Sequence, residues 1–315
     1  MTPQNNKKSI IFILVGMGLF SIQDALIKFI YNDASLYELY FGRTFIALIL
    51  LLIFMYFKKE KLILKTHYPF LTILRVILFF FGFSSFYISL TFMSLAMANA
   101  LFFCSPFFVS IFAKIFLKET IGIRRWSAIF IGFCGVYIVL NPNFENFRLA
   151  NLAPVVCALC YSGSMIILKI TNDKDNVYTQ ITHQYIGAII ISVLFYIFAG
   201  DGKFDTFNDP SMQFILREWF TNPKVAWPII AAMGCCGAFA FAFVFNAYNM
   251  GSPSTVSLFE YSLIIYSIFI GYFIFNESPP IRTLIGALII ISAGIYIYFR
   301  EKVKDQLIVT ENPIR

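Results

Sequence analysis

The most chemically pointed feature of this sequence is a carboxylate set between two aromatic rings inside an apolar run, Phe259-Glu260-Tyr261. An ionisable group at bilayer depth costs about 2.5 to 3.5 kcal/mol on insertion scales, so it faces a cavity or a partner and marks function by default. No basic residue adjoins Glu260 in sequence. Such a carboxylate can hold an ammonium or sulfonium group by charge and by cation–π contact with its neighbours, or it can carry a coupling proton. The plainer alternative is an internal salt bridge to Arg43 or Lys28. Asp24, beside Gln23, is the second candidate, with Lys28 one helical turn on as an available intrahelical partner. Arg43 lies deeper in its apolar run than Glu38, and a guanidinium in a low-dielectric bundle needs a carboxylate or several carbonyls. Glu38 or Asp24 could supply the carboxylate, which gives Arg43 and Glu38 structural or gating roles. Arg75, about one turn inside the next run, reads as snorkelling to the interface. Tyr87, Tyr161, Tyr248 and Tyr261 each offer a ring face and a hydroxyl to a ligand. Pro106, in mid-run, removes a backbone hydrogen bond and should kink its helix.

No catalytic or metal-binding set accompanies them. The two histidines, His67 and His183, lie far apart in sequence, and no Cys/His or Ser/His/Asp arrangement follows from spacing. His183 reads as a hydrogen-bonded bundle residue. All six cysteines sit in apolar runs as small packing residues; Cys157-Ala-Leu-Cys160 has redox spacing but neither a second pair nor a histidine nearby. No metal and no cofactor is expected.

These residues must be positioned by membrane helices. Charged residues are 13% of the 315 and hydrophobic ones 59%, against roughly 25% charged in a soluble domain. With mean hydropathy of +0.77, soluble, disordered, collagen-like and disulfide-stapled classes are excluded. A span needs about 20 apolar residues, and turn-forming or charged clusters divide the chain into ten such stretches. They run approximately Ile10–Tyr31, Leu36–Phe57, Phe70–Thr91, Leu95–Phe116, Trp126–Leu140, Leu152–Ile170, Tyr178–Ala199, Val225–Tyr248, Ser254–Phe275 and Leu284–Phe299. The first is too long for a signal-peptide h-region and is expected to stay in the mature protein. Gly200 to Lys224, the longest loop, mixes acids with phenylalanines and is placed along the membrane surface. Small residues from Gly234 to Ala242 allow close helix approach on the eighth span.

The basic residues are distributed unevenly. Assigning span ends alternately puts sixteen Lys/Arg on one side and five on the other. By the positive-inside rule both termini are therefore cytoplasmic, and the net charge of +7 reflects membrane orientation rather than nucleic-acid binding.

The chain also repeats itself. Lys118-Glu119 through Arg124 to Gly135-Val136-Tyr137-Ile138 recurs as Asn276-Glu277 through Arg282 to Gly294-Ile295-Tyr296-Ile297. In both copies the arginine follows the glutamate by five, and the glycine follows by sixteen or seventeen. Each copy joins the last two spans of a five-span half. Five is odd, so the second half inserts upside down, and inverted-topology repeats characterise transporters. The expected fold is an all-α membrane protein of ten transmembrane helices in two inverted five-helix repeats, residues 1–145 and 146–303, with a cytoplasmic tail at 304–315.

The run Leu74-Arg75-Val76…Ala98-Asn99-Ala100…Ser105-Pro106-Phe107…Leu117-Lys118-Glu119, the segment Phe41-Gly42-Arg43-Thr44-Phe45-Ile46-Ala47, and the closing Phe275-Asn276-Glu277…Gly286-Ala287…Gly294 resemble the ten-helix EamA-like members of the drug/metabolite transporter superfamily. The resemblance covers roughly residues 10 to 300 and places a family-type arginine at Arg43. Leu74-Arg75…Phe81-Gly82 and Tyr272-Phe273-Ile274-Phe275-Asn276-Glu277 are similar to the S-adenosylmethionine uptake transporters within it. Phe259-Glu260-Tyr261 departs from their pattern, which resembles an arginine between two aromatics.

The resemblance implies a secondary active transporter in the bacterial cytoplasmic (inner) membrane, working by alternating access. No phosphate-binding Gly-x-x-x-x-Gly-Lys loop is present for ATP. Glu260, Asp24 and the aromatic setting favour a cationic or zwitterionic, amino-acid-derived metabolite as partner, with a proton or counter-substrate and membrane lipid, and no nucleic acid. Uptake or exchange of S-adenosylmethionine is the alternative within the class. A membrane-embedded lipid-modifying enzyme would need a polar catalytic cluster at one interface, for which two histidines and scattered carboxylates are poor material. A channel would need a filter-like loop that the sequence does not offer.

The charge asymmetry yields a direct test. A reporter cysteine at Asn208 should react with an impermeant reagent in intact cells, and one at Gln306 should not; the reverse pattern would sink the orientation.

Overall fold

Lipid leaves backbone N–H and C=O groups nothing to bond with except one another, so a chain this apolar must fold as helices. The computed structural model describes residues 3–118, 123–140, 149–171, 173–250, 259–293 and 295–296. Among these residues every regular element is helical. They are α1 (Pro3–Ile30), α2 (Leu36–Lys58), α3 (Pro69–Ser89), α4 (Leu95–Phe102), α5 (Ser105–Phe116), α6 (Ile123–Leu140), α7 (Ala153–Thr171), α8 (Val177–Ala199), α9 (Pro210–Leu216), α10 (Pro223–Met250), α11 (Ser262–Phe275) and α12 (Ile281–Ala293). Seven stretches among the described residues are long and apolar enough to cross a membrane, with α4 and α5 together forming one; Trp126–Leu140, α11 and α12 are shorter apolar helices.

Polar side chains mark where helices begin. Ser35, Ser94 and Asn176 each accept a hydrogen bond from the backbone N–H three residues on, and Asp209 does the same for Ser211 and Met212. Lys59 and Asn276 end α2 and α11 in the left-handed conformation. The stretch containing Pro106 is more than kinked: α4 stops at Phe102, and α5 starts afresh with Pro106 in its first turn. Proline's missing N–H is harmless there, because first-turn donors lack intrahelical acceptors anyway.

Helix α1 lies along α10, α3 along α7, and α2 against both α8 and α10, while α11 packs on α1 and α4. Small residues make the closest seams. A Cβ added at Gly234 of α10 would stand 2.9 Å from the Arg43 carbonyl of α2, so the two backbones meet at the level of that arginine. Large apolar side chains such as Phe130, Phe273 and Ile281 are exposed on the outside of the bundle, where lipid is their solvent.

The Gly200–Lys224 loop is built into the end of the bundle. It contains α9, and Phe214 is fully buried in the end of the bundle against Tyr31, at 6.2 Å between ring centroids. Arg217 Nη1 donates to the Tyr31 carbonyl at 2.8 Å, and Asn222 Nδ2 to Asp33 Oδ1 at 3.1 Å.

The opposite end is tied by a polar knot between the α2–α3 and α7–α8 connections. Arg75 does not snorkel. It is buried, and its Nη2 donates to the Gln180 carbonyl at 2.6 Å. Gln180 Nε2 in turn donates to the Asp175 carbonyl at 3.0 Å. The Asp175 carboxylate, itself buried, accepts from Thr66 Oγ1, from His67 N at 3.1 Å and from the His67 ring at 2.9 Å. His183 is hydrogen-bonded, as expected, to the Leu64 carbonyl at 2.8 Å.

Burial pushes the Asp175 carboxyl up, but the hydrogen bonds from Thr66 and His67 outweigh it and hold the group below its ordinary value. A depressed carboxylate contributes stability that is present above its unfolded pKa, about 3.9, and is lost as pH falls through the folded value. Asp175→Ala should therefore lower stability at neutral pH by about 1.5 to 3 kcal/mol and flatten the acid limb below about pH 4. Thermal unfolding in detergent across pH reads both effects, and an unchanged acid limb would exclude the contribution.

Candidate functional site

Five helices bring polar groups to one level inside the bundle. Asp24 of α1 is buried, hydrogen-bonded to the Asn99 side chain of α4, and within electrostatic reach of Arg43. Asn99 Nδ2 donates to Ser267 Oγ of α11 at 2.8 Å, and that hydroxyl donates to the Leu263 carbonyl at 2.7 Å. Arg43 of α2 donates from Nη1 to the Tyr87 hydroxyl of α3 at 2.8 Å. Its guanidinium carbon also lies 4.4 Å from the Tyr40 ring centroid and 4.9 Å from that of Tyr87. A flat guanidinium over two neighbouring rings, whose centroids are 5.6 Å apart, is a geometry that arginine, unlike lysine, exploits.

Glu260, just before α11, is half-buried, with the phenols of Tyr161 and Tyr261 inside its field. A continuous aromatic wall joins the two places. From Tyr87 the rings step to Phe83 at 6.0 Å and on to Tyr161 at 6.1 Å; Phe102 closes the set at 6.0 Å from Phe83 and 5.4 Å from Tyr161. Phe103, next to Phe102, meets Tyr261 at 5.1 Å. Phe259 packs on the neighbouring apolar core. Arg43, Phe83, Phe102 and Tyr161 are half-buried, so each keeps part of its surface open.

Several expected pairings are replaced by others. Lys28 does not neutralise Asp24; its ammonium meets Glu277 Oε1 at 2.5 Å and the Met93 carbonyl at 2.5 Å. Glu38 does not serve Arg43 either. Its carboxylate accepts from Trp227 Nε1 at 3.0 Å and from Phe220 N at 3.3 Å, holding the long loop to the start of α2. Arg43 takes two tyrosines instead, with Asp24 within electrostatic reach. The alternative bridge from Glu260 to Lys28 is replaced by the one to Glu277. The Tyr248 side chain lies outside the described residues.

Sequence reading missed Tyr40, Asn99 and Ser267 as parts of the site. Tyr40 precedes Arg43 by three, which puts it on the same helix face. Asn99, an amide in an otherwise apolar run, was a usable signal that attention to charges alone passed over. Among the described residues no group of three His, Cys, Asp or Glu could hold a metal ion, and every cysteine is free.

Comparison with known proteins agrees with this architecture. The signature of the EamA-like transporter family matches residues 7–141 and again 148–299. The S-adenosylmethionine uptake transporter of Rickettsia conorii is 30% identical over 297 residues, covering 92% of this chain and 94% of that protein. Its counterpart in Rickettsia felis is 29% identical over 296 residues, with 92% and 94% covered. A riboflavin transporter of Vibrio cholerae is 27% identical over 63% of this chain and 60% of its own length. A solved crystal structure superposes with a TM-score of 0.63 at 14% identity, over 92% of this chain and 96% of the other, a likeness of fold. With the signature matched twice along nearly its whole length, the chain belongs to the EamA-like transporter family, as a multi-pass protein of a bacterial inner membrane that carries solutes and is not an enzyme.

Proposed function

We propose that this protein is a secondary active transporter that moves a small cationic or zwitterionic organic metabolite by alternating access, using the space between Arg43 and Glu260. The observation that carries the reading is the aromatic wall from Tyr87 through Phe83 to Tyr161, with a cation at one end and a carboxylate at the other. Charges of opposite sign linked by ring faces suit a ligand that carries both charges and an apolar or aromatic body. Glu260 and the Tyr161 and Tyr261 phenols take the cationic part; Asp24 moderates Arg43 and is the second place where a proton could couple.

The inverted-repeat architecture belongs to the same reading. The seven long and three short apolar helices among the described residues are read as ten spans, divided into residues 1–145 and 146–303 with a tail at 304–315. Five spans per half invert the second relative to the first, which lets one midplane site open to each face in turn. The charge asymmetry of the loops supports cytoplasmic termini.

S-adenosylmethionine is the specific substrate we favour, on the strength of relatives with that name across 92% of the chain. A sulfonium is a permanent cation that a carboxylate and ring faces hold together, and an adenine ring can lie on the same wall. Direct proton coupling through Glu260 is the second reading, favoured by its being a carboxylate in an apolar run.

Reconstituted protein separates these possibilities. Glu260→Gln keeps the shape and one hydrogen bond but removes the charge, so direct binding predicts affinity weaker by about 1.5 to 3 kcal/mol, roughly 10- to 150-fold, in folded protein. A proton carrier would instead retain substrate exchange and lose accumulation driven by a pH gradient. Wild-type affinity, exchange and pH-driven uptake in a well-folded variant would remove Glu260 from the mechanism. Labelled S-adenosylmethionine that fails to exchange with unlabelled S-adenosylmethionine would exclude that substrate.

A further inference from the structure

Lys28 and Glu277 tie together three helices just beyond the central polar cluster, and we propose that this ion pair is the gate on the face of the protein bearing the Gly200–Lys224 loop. The ammonium of Lys28 lies 2.5 Å from Glu277 Oε1 and donates to the Met93 carbonyl at 2.5 Å. The other oxygen, Glu277 Oε2, accepts from Leu95 N at 3.2 Å. One lysine and one glutamate thus join the end of α1, the α3–α4 joint and the end of α11. Their side chains are only 10% and 23% exposed.

Register makes the clamp a gate rather than a decoration. Asp24, Asn99 and Ser267 supply the inner cluster from α1, α4 and α11. Lys28 lies four residues beyond Asp24, Leu95 four residues before Asn99 on a helix running the other way, and Gly271 four residues beyond Ser267. Gly271 is the residue to whose carbonyl Glu277 N donates, at 2.9 Å. Asn276, at φ 54°, turns the chain back so that the Glu277 side chain overlies Gly271, where an added Cβ would stand 3.4 Å from Oε2. Every arm of the clamp is therefore one helical turn, about 6 Å, outward from the polar group that its own helix contributes. Closed, it caps the cluster. The neighbouring contacts of Glu38, Arg217 and Asn222 hold the long loop to α1 and α2 and reach neither α4 nor α11.

The chemistry gives two discrete states. A buried pair is tolerated only with both charges present, while a released lysine near a helix end can carry its ammonium to the interface on its own methylene stem. A solute passing between α1, α4 and α11 must part the pair. The proposal rests on the alternating-access reading, but its test needs no substrate.

Native Cys157 is the reporter. It is fully buried and lies in the electrostatic field of Asp24. An impermeant maleimide is applied to proteoliposomes from the face bearing the Gly200–Lys224 loop, and modification of Cys157 is measured by peptide mass spectrometry, with Asn208→Cys, at an exposed position of that loop, as internal reference. Lys28→Met and Glu277→Gln should each raise the Cys157 rate several-fold while the reference at Asn208→Cys is unchanged. If a single variant misfolds, the double variant removes both charges, leaves neither orphaned, and should show the same rise. Folded variants with wild-type Cys157 labelling overturn the gate, and so does a fall in thermal stability without increased labelling, which is what a merely structural pair would give. Labelling that depends on the clamp in a protein that transports none of the tested solutes would count against the transport reading and leave the gate standing.

Discussion

The interior of this bundle depends on satisfying Arg43. A guanidinium is charged at any accessible pH, and leaving it unpaired in a low-dielectric interior costs several kcal/mol. Its satisfaction draws on three helices: Tyr40 from its own α2, Tyr87 from α3, and the field of Asp24 from α1. The rotation of each helix about its axis is thereby restricted, because a turn of one residue would swing a partner away by about 100°. Asp24 passes the constraint on to Asn99, and Asn99 to Ser267, so α4 and α11 are registered against the same centre. In a medium where apolar packing between helices has no hydrophobic drive, such a polar chain is what specifies one arrangement among many equally greasy ones.

The same logic explains why the backbone breaks where it does. Helix α4 ends at Phe102, next to the aromatic wall, and the Ser162 hydroxyl of α7 donates to the Ser105 carbonyl at 3.0 Å. Irregular backbone at membrane depth is tolerated when protein surrounds it and meets its polar groups. At the break the neighbouring Phe102 and Phe103 meet different partners, one Tyr161 and the other Tyr261. One interruption therefore serves both ends of the region around Glu260.

Span positions were legible because they depend on local composition: α2, α3, α7 and α8 begin and end within two residues of the apolar runs. Caps such as Ser35 and Asn176 are local as well. Partner choice was not legible. Asp24 beside Lys28, and Glu38 near Arg43, are the pairings that sequence distance favours, and the fold uses neither, since Glu277 and Trp227 come from some 190 to 250 residues away. Arg75 shows the same limit: its place near a helix end fits snorkelling until the Gln180 carbonyl of another helix arrives within 2.6 Å. Ligands of this kind come from the topology, and a one-dimensional pattern carries topology only through features such as the repeated glutamate-to-arginine spacing.

The fate of Lys28 shows which force decides. An intrahelical pair with Asp24 would be worth about 0.3 to 0.5 kcal/mol at an exposed helix face, and it would leave Glu277 to be buried alone. Bonding Glu277 and the Met93 carbonyl instead gives the ammonium two short acceptors and gives the carboxylate a second donor in Leu95 N. It also leaves Asp24 within the field of Arg43, so that two carboxylates and two cations form two separate sets at two depths. A single set would have locked the inner cluster to the rim. Under the proposed gate, two sets let the outer one part while the cluster around Arg43 stays in place.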